Sequence, residues 1–352
     1  MKLSFKAAIL KKLNSPLIID YVNFDGVLLN GQVLVKIKYS GICGSQLGEI
    51  EGIKGKDKYL PHLMGHEGIG EVVETNRKVR KVKKGDHVLL HWMPSNGLNS
   101  PLPRYQWKNK KLNAGNLTTF NTYAVVSENK LTKISKKQSD NTKILLLGCT
   151  ASTAIGSAKK LTKLSADDYV AVSGCGAIGL NIIQYAKFVG VKNIVAVDIN
   201  DEKLNLAKKI GANYILNSNK INFLKYFKKK FPAGINNFFE CTGNTRVISD
   251  AFECLNKNNG TQILIGVPKY KDKAYFYTLD LHLGKKLVGC KGGDFKPDVD
   301  LNEYFKILNN KNFLLQDFIA NEIELKDIND VFSDMRKNKL LGKCIINLQK
   351  EY

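Results

Sequence analysis

The sequence predicts an α/β protein with a strand-rich N-terminal part and a central parallel sheet flanked by helices. Three observations predict it. Up to about residue 150, stretches such as "GQVLVKIKYSGIC" and "EGIGEVVET" alternate apolar with polar or small residues, as half-buried strands do. From about Asp168, short runs rich in Val and Ile ("YVAVSG", "NIVAVDIN", "NNFFECTG", "GTQILIGVP") alternate with helical segments such as "DEKLNLAKKIGA" and "TRVISDAFECLNK". That alternation is the pattern of βαβ units. After about Gly289 the pattern mixes again and ends in the strand-like "KCIINL".

Composition narrows the function classes. A chain of 352 residues has room for two domains, or for one with an insertion. No apolar run reaches the ~18 residues of a membrane helix, and the apolar core of "MKLSFKAAILKK" is too short and broken for a signal peptide. A cytoplasmic protein is expected. Seven cysteines, an odd number scattered along the chain, form no disulfide framework and are expected as thiols. The net charge of +22 comes from lysines spread over many segments, with no basic run interleaved with stacking aromatics. The expectation is no nucleic-acid partner and a negatively charged substrate.

Along the N-terminal part, three stretches carry cysteine or histidine in settings that packing explains poorly. They are "YSGICGSQ" with Cys43, "LMGHEGIGEV" with His66 and Glu67, and "LLLGCTASTA" with Cys149. Two thiolates and an imidazole would give zinc three protein ligands and an open fourth position, the catalytic arrangement. Taken singly, each stretch also fits a structural role, and spacing alone does not unite them. Between Met93 and Asn116 the pattern collapses, with three prolines and no periodicity, so a long loop is expected. His62, His87, His91 and His282 are expected at the surface or satisfied in the core. Cys175, Cys241, Cys254, Cys290 and Cys344 read as packing residues.

In the central part, "SGCGAIGLNIIQYAKFVG" places Gly174, Gly176 and Gly179 directly after an apolar run and at the start of an amphipathic helix. The next buried run ends in Asp198, 24 residues after Gly174. In this context Gly174 permits the turn and Gly176 lets backbone approach a pyrophosphate. Gly179 lets helix and strand pack closely. The helix start at Ala177 and Ile178 supplies unpaired N–H groups for phosphate. A carboxylate at Asp198 would accept from the adenosine ribose hydroxyls and repel a 2′-phosphate, which favours NAD over NADP.

The motifs "GICGSQ", "GHEGIGEVVE", "KKGDHV", "LLGCTASTA", "VSGCGAIGL", "VDINDEKLNLAKKIGA", "LIGVP" and "DINDVFSDMRKNKLLGKCII" stand in the order found in a known family. Across essentially its whole length the chain resembles the zinc-containing medium-chain alcohol dehydrogenases. The resemblance implies a GroES-like, mostly-β catalytic domain (residues 1–150 and 290–352) into which a Rossmann domain, a doubly wound parallel sheet, is inserted (151–289). It implies zinc on Cys43, His66 and Cys149, one catalytic ion per chain, with Glu67 beside the metal. It implies Ser45 as the hydroxyl that receives the substrate proton. It implies NAD on Gly174, Gly176, Ala177, Ile178, Gly179, Asp198, Lys203 and Val267, with Lys343 near the pyrophosphate. A homo-oligomer, dimer or tetramer, is also implied.

This sequence departs from the family pattern in places. The region "PSNGLNSPLPRYQW" has no cysteine where many members hold a second, structural zinc, so that ion is not expected. Gln46 stands where the family often has Asp, which changes what orients the ligands. Gly44 and Gly48 replace side chains that some members use for phosphate contact and proton relay. The expected reaction is hydride transfer between NAD and an alcohol, with a polyol, sugar or anionic sugar derivative preferred. Two other readings fit the fold: a zinc-free NADPH-dependent quinone or enone reductase, and a nucleotide-binding protein without catalysis.

Overall fold

A computed structural model describes residues 2–313 and 319–351. The chain divides into two compact units, Met1–Cys149 with Lys296–Leu308 and Ile319–Tyr352, and Thr150–Phe295 with Asn309–Phe318. Against boundaries expected at 150/151 and 289/290, the units part at 149/150 and 295/296.

The first unit begins with ten strands: β1 (Lys2–Leu10), β2 (Ile18–Asp25), β3 (Gln32–Ile42), β4 (His62–Leu63), β5 (Gly68–Thr75), β6 (His87–Leu90), β7 (Tyr105–Trp107), β8 (Lys110–Leu112), β9 (Tyr123–Ser127) and β10 (Leu131–Ile134). The second unit contributes β11 (Tyr169–Ser173), β12 (Asn193–Asp198), β13 (Tyr214–Asn217), β14 (Asn237–Glu240), β15 (Thr261–Leu264) and β16 (Lys286–Gly289). The tail returns to the first unit with β17 (Ile319–Ile323) and β18 (Lys343–Asn347).

In the first unit one sheet runs β4-β1-β2-β7-β8, and the other runs β10-β6-β5-β3-β18-β17 with β9 also on β3. Inward residues of the second sheet, including Val35, Ile37, Val88, Leu90 and Ile346, pack with Phe332 of the helix Ile328–Arg336. The tail strand β18 lies antiparallel on β3 with Cys344 opposite Ile42, so the tail completes a sheet begun by the N-terminal part.

The segment expected as a structureless loop from Met93 to Asn116 holds β7 and β8, which pair with each other and, through Gln106 and Asn23, with β2. Three-residue strands are too short to show a period. Their connecting residues Lys108 and Asn109 both take positive φ, as a tight hairpin turn requires. Tyr105 and Trp107 are buried in the core of this sheet, and the Trp107 indole donates to Asp20 at 2.8 Å.

The second unit is the parallel sheet the sequence predicts, in the order β13-β12-β11-β14-β15-β16. Parallel neighbours on both sides of β11 make it the strand where the chain order reverses, with Val172 opposite Ala196 on one side and Phe239 on the other. Ligands of open α/β sheets bind outside the carboxyl ends of such strands. Among the described residues, no helix is long and apolar enough to cross a membrane.

Candidate metal centre and nucleotide-binding turn

The carboxyl end of β3 and the start of β5 run antiparallel with Ser40 opposite Gly68. That register brings Cys43, just beyond β3, beside His66 and Glu67, just before β5. Cys149 follows the helical turn Thr142–Gly148, which is tied to this end of the sheet by Trp92 N–H donating to Gly148 O at 3.3 Å. A Cβ on Gly148 would stand 2.7 Å from both Glu67 Cβ and Leu90 O, so glycine there is what lets Cys149 close on the pair.

The ligand atoms of Cys43, His66, Glu67 and Cys149 lie within 4.8 Å of one another. A tetrahedral zinc with Zn–S about 2.3 Å and Zn–N about 2.0–2.1 Å needs edges of roughly 3.5–4 Å, so small adjustments close the set on one ion. Two further observations fit a metal. Among the described residues, His66 Nε2 and Glu67 Oε2 are buried with no hydrogen-bond partner, which apolar packing would not tolerate. The thiol of Cys43 is held well below its ordinary range, because Cys149 donates to it and because the charge of Lys343 favours its thiolate. Cys149 is correspondingly pushed up, since it keeps the shared proton. A cation would release that proton and take both sulfurs.

Lys343, expected near a pyrophosphate, is an ion-pair partner of Glu67. The β18 register that sets Cys344 opposite Ile42 brings Lys343 level with Cys43. Its ammonium is buried, with 2% side-chain exposure against 0% for Glu67. Burial alone would lower the Lys343 pKa, but the negative groups of Glu67, Cys43 and Cys149 overcome it and raise it. Two thiolates balance a divalent ion, and Lys343 balances Glu67, so the charged cluster is neutral when metallated. Sequence reasoning missed this pair because 276 residues separate its members.

Ser45 lies in the first turn of the helix Gly44–Ile50 and is exposed. Gln46, in the same turn, is 1% exposed and touches both Cys43 and His66.

His62 and His91, expected to have no metal role, have protein partners, whereas His87 Nδ1 is buried without one among the described residues. His62 faces Asp57 at 2.9 Å and Leu63 O at 3.0 Å. His91 faces Met93 O and Thr132, and burial pushes it from its ordinary 6.5 down to about 4. Folded His91 therefore binds its proton more weakly than unfolded. Its contribution to stability is complete above pH 6.5 and is lost as pH falls toward 4, a loss on the order of 3 kcal/mol. Denaturant melts across that window are expected to show the slope, and His91→Gln is expected to remove this share of it.

In the second unit, β11 ends at Ser173 and Gly174 turns the chain with φ +86°. Gly176 caps the helix Ala177–Phe188 with no side-chain hydrogen bond, which leaves the first-turn N–H groups free of a side-chain cap. A Cβ on Gly176 would meet nothing within 4 Å, so space remains above the turn. A Cβ on Gly179 would stand 2.0 Å from Gly174 O, so this glycine is required for helix and strand to meet.

Asp198 ends β12 at 9% exposure and accepts from Cys175 N at 2.7 Å and from Ile199 N at 2.8 Å. Lys203 is buried on the next helix, Asp201–Lys209, and burial lowers its pKa. Val267 follows β15 at the same carboxyl edge and is exposed. The turn, its uncapped N–H groups and the carboxylate fit a dinucleotide.

A family model described as alcohol dehydrogenase GroES-like domain matches residues 29–136, and one described as zinc-binding dehydrogenase matches 177–308. The S-(hydroxymethyl)glutathione dehydrogenase of Synechocystis sp. is 29% identical over 342 residues, covering 90% of this chain and 92% of that relative. The protein of the same name from Escherichia coli is 29% identical over 344 residues, with 90% and 92% covered. Benzyl alcohol dehydrogenase from Acinetobacter calcoaceticus superposes with a TM-score of 0.86 at 25% identity, covering 98% of this chain and 99% of that one. An alcohol dehydrogenase zinc-binding domain protein from Burkholderia ambifaria shares the fold, with a TM-score of 0.86 at 23% identity and 99% of each chain covered.

Proposed function

Because this chain belongs to the zinc-containing medium-chain alcohol dehydrogenase family, we propose that it is a zinc-dependent, NAD-linked alcohol dehydrogenase. The observation that carries the reading is the convergence of Cys43, His66 and Cys149 around a buried, unpartnered His66 Nε2. When bound, zinc would supply a Lewis acid for the substrate oxygen, and NAD would accept the hydride.

The chain's own residues do the rest. Cys43, Cys149 and His66 hold the ion. Glu67, with one oxygen on Lys343, keeps its other oxygen at the cluster as an exchangeable fourth donor. Ser45 takes the alcohol proton outward. Gly44 and Gly48 carry no side chain, so the proton passes from Ser45 to solvent and not to a neighbouring residue. Gly174, Gly176, Ala177, Ile178 and Gly179 cradle the pyrophosphate, Asp198 and Lys203 hold the adenosine ribose, and Val267 lines the cofactor.

The preferred substrate is a polyol, sugar or anionic sugar derivative. A cavity of about 1170 Å³ within the first unit supports it, lined by His66 and Gln46 and also by Arg104, Lys110 and Lys111. The same lining holds the carboxylates of Asp25, Glu49 and Asp57, with Asp57 on His62 at 2.9 Å, so cations and carboxylates are both at hand for the hydroxyls of a polyol or sugar. The relatives' name adds S-(hydroxymethyl)glutathione to the compounds to be tried. Seven cysteines held as thiols and not as disulfides suit a cytoplasmic enzyme, and a homo-oligomer is expected.

A screen of NAD reduction across simple alcohols, polyols, sugar phosphates and S-(hydroxymethyl)glutathione tests the reading. Turnover with an anionic or polyol substrate is expected; NADPH-dependent enone reduction without metal would contradict it. Asp198→Ala is expected to weaken NAD by about 10- to 100-fold, the loss of charge-assisted hydrogen bonds, and to relax discrimination against NADP. The ratio of kcat/KM for the two cofactors checks this, and an unchanged ratio would remove Asp198 from the ribose site.

A further inference from the structure

Gln46 is bonded at both ends of its amide. Its Oε1 accepts the Cys43 N–H at 2.7 Å, closing the start of the helix Gly44–Ile50, and its Nε2 closes on His66 Nδ1. The other ring nitrogen, His66 Nε2, is the buried, unpartnered atom at the ligand cluster.

A neutral imidazole carries one proton. For Nε2 to offer its lone pair to a metal, the proton must sit on Nδ1, and Nδ1–H then faces the amide NH2, donor against donor. Turning the amide end for end gives Oε1 to His66 but sets NH2 against the Cys43 N–H. In either orientation a metallated His66 leaves one donor of this group without a protein acceptor, and Gln46 itself is only 1% exposed. With the ring proton on Nε2, every contact of the amide is satisfied, the one orphan is the Nε2–H itself, and Nε2 is closed to a metal. A carboxylate of the same length would accept from both donors.

We propose that Gln46 is a positioning residue that holds His66 as its Nε2–H tautomer and so makes this chain's metal site a weak, readily exchanging one. The inference rests on the reading of Cys43, His66 and Cys149 as a zinc centre. Partners that orient a ligating histidine shift metal affinity by about 10- to 100-fold, and Gln46→Glu is expected to tighten zinc by that factor.

Two measurements test it. Zinc affinity is read by competition with a chromophoric chelator for the full-length protein and for Gln46→Glu. The wild-type chain is expected to take one zinc and Gln46→Glu to hold it 10- to 100-fold more tightly. Equal or weaker binding by Gln46→Glu, with the wild type still taking one equivalent, overturns the proposal and leaves the zinc reading standing. No specific zinc binding by either protein overturns both.

Because Glu adds charge as well as an acceptor, the tautomer is read directly. The chain has five histidines, so selective 15N labelling resolves the His66 ring in metal-free wild-type protein. Protonation on Nε2 is expected. Protonation on Nδ1 overturns the proposal, whatever the variant does.

Discussion

Cys43→Ser is expected to reduce turnover by at least about 10³-fold, because several kcal/mol of charge stabilisation leave with the metal. The serine hydroxyl has nearly the shape of the thiol but is a poor ligand for zinc at neutral pH. The substitution also removes the sulfur to which the Cys149 thiol donates. Binding of NAD is expected to remain within a few fold of wild type, since Gly174, Gly179 and Asp198 belong to the other compact unit. Isothermal titration with NAD and a metal assay on the same preparation check the pair of outcomes. Loss of NAD binding together with zinc would mean that the residue supports the fold and not the centre alone. Full turnover in metal-free protein would contradict the mechanism.

Lys343→Met is expected to be among the most destabilising single changes in the chain. It strips the counter-charge from Glu67 in a site where both side chains are almost fully enclosed. Breaking one member of such a pair costs about 3–5 kcal/mol, whereas replacing both with uncharged groups is often neutral. The double variant Lys343→Met with Glu67→Gln is therefore expected to recover most of the loss. Urea melts of the metal-free proteins give the comparison as a double-mutant cycle. A single variant as stable as wild type would mean that Lys343 does not compensate Glu67. Recovery in the double variant would also separate the structural duty of Lys343 from any contact with nucleotide, because a phosphate ligand would not depend on residue 67.

How much of this was legible in the sequence depended on distance along the chain. The strand, glycine turn, helix and acid from Tyr169 to Asp198 form one contiguous block whose spacing encodes its geometry, so both the parallel sheet and the turn could be read locally. The sulfurs and the imidazole come from three separate segments. Their convergence depends on the β3–β5 register and on the small volume at Gly148, neither of which has a periodic signature. Only the resemblance drew them together. The ion pair of Lys343 with Glu67 was hidden for the same reason: it is made by a tail strand that returns to β3 from the far end of the chain. The short strands β7 and β8 were hidden because three residues cannot show alternation. Gln46 was visible as a departure, but its amide's two opposed contacts exist only in the folded site.

Zinc K-edge X-ray absorption on the purified, zinc-loaded protein tests the central claim most directly. The account predicts one zinc per chain with two sulfur neighbours at about 2.3 Å and two light neighbours, one of them an imidazole nitrogen, at about 2.0–2.1 Å. A shell with no sulfur, with four sulfurs, or with sulfur retained in the Cys43→Ser, Cys149→Ser double variant would contradict it.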